Sequence, residues 1–111
     1  MKNFSIDTSD FNHINFPILI CDKDLNIIYS NNKLNSILNI NNSDNLTKLL
    51  NKKELEIIKS NSSLFNKRNS TKYKIKINNT RFLFSSKTIN INNKSYDFIT
   101  IDNVTDIDKN I

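Results

Sequence analysis

Few side chains in this sequence could do chemistry, and they stand apart from one another. Cys21 is the only cysteine and His13 the only histidine. A thiol at the end of the apolar run Ile18-Leu19-Ile20 could act as a redox sensor or form a flavin adduct. The simpler role is that of a small buried hydrophobe, which most free cysteines fill. His13 precedes that run, in a stretch that reads as a short helix, where an imidazole at a surface or interface is expected. Lying eight residues apart on different elements, the two make no metal site. The acids Asp22, Asp24 and Glu54 fall at turns and caps, where solvated or capping roles are expected. No nucleophile–base pairing and no glycine-rich phosphate loop can be drawn. The expectation is a protein that is not an enzyme.

The elements that must position these groups are bounded by composition. A chain of 111 residues has the length of one domain. At that size it buries about two-thirds of its unfolded surface, enough for a single core without staples. Asn, Ile and Lys supply 22, 18 and 14 residues, while Gly, Ala, Gln and Trp are absent. Pro and Arg are scarce as well, a pattern expected of a genome rich in A and T. The net charge of +5 is therefore inflated by the same bias that inflates Asn, and its 16 cations are spread from Lys2 to Lys109. Lys72, Lys74 and Lys76 alternate with Tyr73, Ile75 and Ile77, which places the lysines on one face of a strand. No recognition motif accompanies the charge, so a solvated sheet face is expected, with no specific nucleic acid partner. One cysteine excludes an internal disulfide and fits a reducing interior. No run approaches the roughly 20 apolar residues of a membrane span, and the first residues lack an apolar signal core. A soluble, cytoplasmic chain with no membrane segment is expected.

Read along its length, the chain alternates cap signals with apolar periodicity. Ser9 is placed to cap a short helix to about Asn15, and Pro17 stops it. Strands are predicted at about 18–22 and 26–30. Asn31 then caps a helix whose Leu34, Ile37 and Leu38 form one stripe, ending near Asn39. Ser43 is placed to cap a turn carrying Leu46, Leu49 and Leu50. Asn51 with Glu54 resembles a capping box that opens a helix over about 52–61, with Leu55, Ile58 and Ile57 inward. Residues 60–69 read as a polar connection. Strands follow at about 70–77, 80–91 and 94–104, joined by Asn78-Asn79 and Asn92-Asn93. Paired asparagines suit tight hairpins in a chain without glycine, because they tolerate positive φ. Strands split by helices and closed by a meander predict one antiparallel sheet with helices on one face, an α+β fold.

Two stretches carry a family resemblance. Phe16-Pro17-Ile18-Leu19-Ile20-Cys21-Asp22-Lys23-Asp24-Leu25-Asn26-Ile27-Ile28-Tyr29-Ser30-Asn31 resembles the strand–turn–strand–Asn–helix opening of PAS sensor domains. Tyr96-Asp97-Phe98-Ile99-Thr100-Ile101-Asp102-Asn103-Val104-Thr105-Asp106 looks like the family's last strand and its Asp-Ile-Thr-acid ending, with Asn103 standing where Asp is usual. The resemblance spans about residues 14–108. It implies a five-stranded antiparallel sheet in the order 2-1-5-4-3, with a pocket between sheet and helices. It also implies that Asn103 and Thr105 couple the last strand to a signalling helix, begun at 105–111, which leads to a C-terminal output domain of the same parent chain. Residues 1–111 then form a single PAS-like domain, with 1–16 as an N-terminal cap segment. Haem-binding members carry a His on the long helix and light sensors carry an Asn-Cys-Arg-Phe-Leu-Gln segment. Neither feature is present here, so no cofactor is predicted, although an unidentified small ligand remains compatible.

Tyr29, Leu38, Leu50, Ile58, Tyr73, Phe82, Phe84 and Phe98 are the residues that such a pocket would draw on. The simpler alternative is a filled core, since apolar stripes mostly pack against each other. Phe4, Ile6, Phe11, Ile14 and Phe16 give the N-terminal segment more apolar surface than a free tail carries, and they are the residues expected at a homodimer interface. The leading functional expectation is a sensory and dimerisation module feeding a histidine kinase, cyclase or transcription regulator. A ligand-free interaction module and a small basic nucleic-acid binder are the alternatives.

Overall fold

The computed structural model describes residues 16–38 and 45–103. They form β1 (Ile18–Cys21), β2 (Ile27–Ser30), α1 (Asn32–Leu38), a 3₁₀ turn (Leu46–Lys48), α2 (Lys52–Asn61), β3 (Ser70–Ile77), β4 (Thr80–Ile91) and β5 (Lys94–Asn103). The five strands make one antiparallel sheet in the order β2-β1-β5-β4-β3. This is the expected α+β fold, and its topology is consistent with that of PAS domains.

Local chemistry explains where each element begins. After β1, the Asp22 carboxylate accepts from the amides of Asp24 and Asn26, both at 2.9 Å, and folds the chain back into β2. Leu25 closes that turn at φ 66°, a left-handed conformation that is unusual for a leucine. Its side chain is buried, and packing offsets the strain. Asn31 is the N-cap of α1, since its Oδ1 accepts from the Leu34 amide at 3.0 Å. The same oxygen accepts from the Ile18 amide at 3.0 Å, and Nδ2 donates to the Phe16 carbonyl at 2.8 Å. One buried amide thus joins the start of β1, the end of β2 and the start of α1.

The turn expected around Leu46, Leu49 and Leu50 is a single 3₁₀ turn, capped by Asn45, whose side chain accepts from the Thr47 amide at 2.8 Å. Ser43, the expected cap, lies outside the described residues. The capping box of α2 is present in full: the Glu54 amide donates to Asn51 Oδ1 at 2.8 Å, and the Asn51 amide donates to Glu54 Oε1 at 2.9 Å. Both hairpins turn on asparagine pairs, with φ of 52° and 66° at Asn78-Asn79 and again at Asn92-Asn93. Positive φ at both central residues is the requirement of a type I′ turn.

Helices cover one face of the sheet. Leu19, Cys21, Tyr73, Ile75, Ile77, Phe82, Phe84, Ile99 and Ile101 point to that side and pack against Leu34, Leu38, Leu46, Leu50 and Ile58. Ile18 and Ile20 alternate with Leu19 and Cys21 and so face the other way, yet both are fully buried.

Asn31→Ala should cost about 3 kcal/mol or more, because it strands two buried amides and one carbonyl at about 1–3 kcal/mol each. Asn31→Asp keeps both acceptances and loses only the donor, so it should fall between. Urea denaturation measures both. An alanine variant as stable as the parent would show that the amide merely fills space.

Candidate functional site

The polar groups that the helices close off lie at one end of the sheet. Asp97 sits on β5 with its side chain on the core face, in line with Ile99 and Ile101, and is 0% exposed. Across the ladders it faces Cys21 on β1 and Thr88 on β4. Ser62, the residue that ends α2, donates to Asp97 Oδ2 at 2.6 Å. Ser86 on β4 donates to Oδ1 at 2.5 Å. Each carboxylate oxygen is therefore held by one hydroxyl, at the short distance expected of a charge-assisted bond.

The network continues outward from there. Ser86 Oγ accepts from the Ser63 amide at 2.9 Å and lies 2.9 Å from Ser63 Oγ, which is itself 3.0 Å from the Thr88 hydroxyl. Ser62 Oγ also accepts from the Leu64 amide at 3.1 Å. The turn after α2 is thus fastened to β4 and β5 through the carboxylate and four hydroxyls. Two further groups look onto the same charge. Cys21 is a free, fully buried thiol whose ionisation is pushed up by burial first and then by Asp97 and Asp22. Tyr73 is buried on β3, and burial, followed by Asp97 and Cys21, pushes its phenol well above the ordinary range. Its hydroxyl has no hydrogen-bond partner, although its ring packs against Phe84 with centroids 5.5 Å apart.

Burial also raises the Asp97 carboxyl above the usual carboxylate range, and the bonds from Ser62 and Ser86 pull partly the other way. The Cys21 thiol stays protonated in this setting and is a poor nucleophile. Among the described residues no group of three or more His, Cys, Asp or Glu side chains is placed to hold a metal ion. The arrangement can hold a proton, or receive one hydrogen-bonding group at Tyr73.

Of the residues expected to line a pocket, Leu38, Leu50, Ile58, Tyr73, Phe82 and Phe84 come together in the cluster between sheet and helices. Tyr29 and Phe98 do not. Phe98 alternates with Asp97 and Ile99 and pairs with Ile20 on the opposite face. Tyr29 also pairs with Ile20, because a register shift between Ile20 and Cys21 re-aims β2. Asn103 is exposed at the end of β5. Phe16 is 43% exposed, and Phe4, Ile6, Phe11, His13, Ile14 and Thr105 lie outside the described residues. Sequence reasoning missed Asp97, Ser62, Ser63 and Ser86. A signal for Asp97 was available, since it occupies the core-facing parity of Ile99 and Ile101.

Comparison with known proteins finds no family model that matches the chain and no matching curated protein.

The pH dependence has a definite sign. A carboxyl raised in the folded state favours folding most when protonated, so that contribution is lost as pH rises from the ordinary carboxylate range through the folded value. Asp97→Asn removes this slope. The stability of the variant relative to the parent should therefore rise with pH over that window, as thermal unfolding at stepped pH will report; parallel profiles would refute it. Ser62→Ala should cost about 1–3 kcal/mol in denaturant unfolding, since it leaves one buried carboxylate oxygen without its donor.

Proposed function

We propose that this chain is a non-catalytic sensory and dimerisation module of the PAS type, acting as a homodimer. It relays an event in its core or at its interface to a C-terminal output region of the parent chain, such as a sensor kinase, cyclase or transcription regulator. The observation that carries this reading is the placement of Asp97 and Asn103 on one strand. Asp97 is the hub of the buried network, and Asn103 is where β5 reaches the surface. A change in the charge or bonding of Asp97 acts on a central strand paired with β4 along its whole length and with β1 over 97–100, whose other end leaves the core. The strand order and the residues 16–31 and 96–106 support the same reading by resemblance. The unpartnered Tyr73 hydroxyl supports a small guest, because a buried hydroxyl without a partner is costly and gains from one.

A second reading rests on a different observation. Six of the expected lining residues pack against one another in a single cluster, as in an ordinary filled core. On that reading the chain is a ligand-free interaction module.

Native mass spectrometry of the purified chain separates the two. The sensory reading expects a dimer with a retained small molecule, which Tyr73→Phe releases. In the guest-free chain that substitution deletes an unsatisfied hydroxyl, so there it should leave folding stability unchanged or raise it by up to about 1 kcal/mol. A dimer without an adduct favours the interaction module. A monomer without an adduct would overturn both.

A further inference from the structure

β3 lies at the edge of the sheet, and among the described residues only β4 pairs with it. The hairpin register decides which of its backbone groups are taken. Ile77 faces Thr80 across a two-residue turn, so these two exchange hydrogen bonds, as do Ile75 with Phe82 and Tyr73 with Phe84. The amides and carbonyls of Lys72, Lys74 and Lys76 alternate with these and point away from β4, along the edge. The same three residues carry exposed side chains on the face opposite the helices.

α2 flanks this edge, running antiparallel to β3. At its start, Asn51, Glu54 and Ile57 share a hollow of about 360 Å³ with Lys76 and Asn79. At its end, Ser60 and Asn61 share a second of about 360 Å³ with Arg68, Thr71 and Lys72. There the Thr71 hydroxyl donates to the Asn61 carbonyl at 2.6 Å. Edge and hollows together present Lys53, Arg68, Lys72, Lys74 and Lys76 against one acid, Glu54. Ile57 is half-buried and gives the first hollow an apolar wall.

We propose that this edge takes an extended acidic segment of another protein as a sixth strand. The amide and carbonyl of each edge lysine exchange two bonds with one residue of the incoming strand. The side chain of that residue stands directly opposite the lysine on the same face, so an acid at every second position meets Lys72, Lys74 and Lys76 in turn. The residues between point to the α2 side, where Ile57 suits an apolar one. A second copy of this chain fits badly. Two β3 edges paired antiparallel about Lys74 set Lys74 against Lys74 and Lys72 against Lys76, with all six lysines on one face. A nucleic acid backbone satisfies the lysines, but its phosphates only accept and leave the three edge carbonyls unbonded.

The test is fluorescence anisotropy with a labelled peptide of about seven residues, alternating glutamate and valine, long enough to pair across the three lysines. It should bind, and more weakly as salt rises from about 50 to 300 mM. Lys72→Glu combined with Lys76→Glu should weaken binding at least ~tenfold, because two attractions become repulsions. Circular dichroism confirms that the variant is folded. The same peptide N-methylated at its glutamates keeps every charge and loses the donors to the edge carbonyls, so it should bind at least ~tenfold more weakly. That comparison uses the unaltered chain and stands whatever the variant does to folding. The proposal fails if the peptide does not bind, or if the methylated peptide binds as tightly, which would reduce the edge to a patch of charge. It fails if an oligothymidylate of equal charge binds as tightly, which would mark a nucleic-acid surface. It fails too if the peptide splits an assembly of this chain in ultracentrifugation, which would mark the edge as a contact between copies.

Discussion

A carboxylate placed where water does not reach must be compensated, and in this protein the compensation comes from hydroxyls. Asp97 takes one bond from the end of α2 and one from β4, while its own strand lies between β1 and β4. Those bonds fix the angle at which the turn after α2 meets the sheet. Burial of an isolated charge is so unfavourable that any alternative packing leaving Asp97 without both serines is strongly disfavoured. A leucine at the same site would pack without selecting among arrangements. The acid thus disfavours alternative packings at that end of the sheet, and it leaves a protonatable group buried beneath the turn after α2.

The second constraint is the absence of glycine. Six described residues take positive φ, and none of them is the residue type that does so at no cost. Four are asparagines in the two hairpins, and asparagine is among the residues that tolerate this region best. Leu25 and Lys67 are the remaining two. Leu25 is held there by the Asp22 turn on one side and by its own burial on the other. Asn31 works at the other end of the same two strands. Asparagine thus carries turns, caps and one buried three-way bridge, which a composition dominated by this residue makes available.

The fold was largely legible in the sequence, because its signals are local. Alternation gave the three long strands, the asparagine pairs gave their turns, and Asn51 with Glu54 gave the start of α2. The site was less so. Acids are solvated by default, and only the parity that Asp97 shares with Ile99 and Ile101 points the other way. Ser62, Ser63 and Ser86 have no signature at all until the tertiary structure brings them to one carboxylate. Phe98 was assigned to the wrong face although its alternation with Ile99 excluded it. Tyr29 could not have been placed, because a register shift in β2 has no mark in composition or period.

The two asparagine hairpins have a consequence for the order of assembly. They join β3, β4 and β5 through turns of two residues, so these ladders close by short steps, each adding a near neighbour. β1 belongs in the same sheet, yet Leu19 meets Ile99 eighty residues away. Closing that distance carries a loop entropy that no nearby contact offsets in advance. Contact order thus favours closing the meander first, an order in which the β5 edge would stay open and the amides of β3 and β4 would gain protection before those of β1. The open edge is the stretch around Asp97 and Ile99, so the strand that carries the buried charge is the one that stays incomplete until the beginning of the chain returns to it.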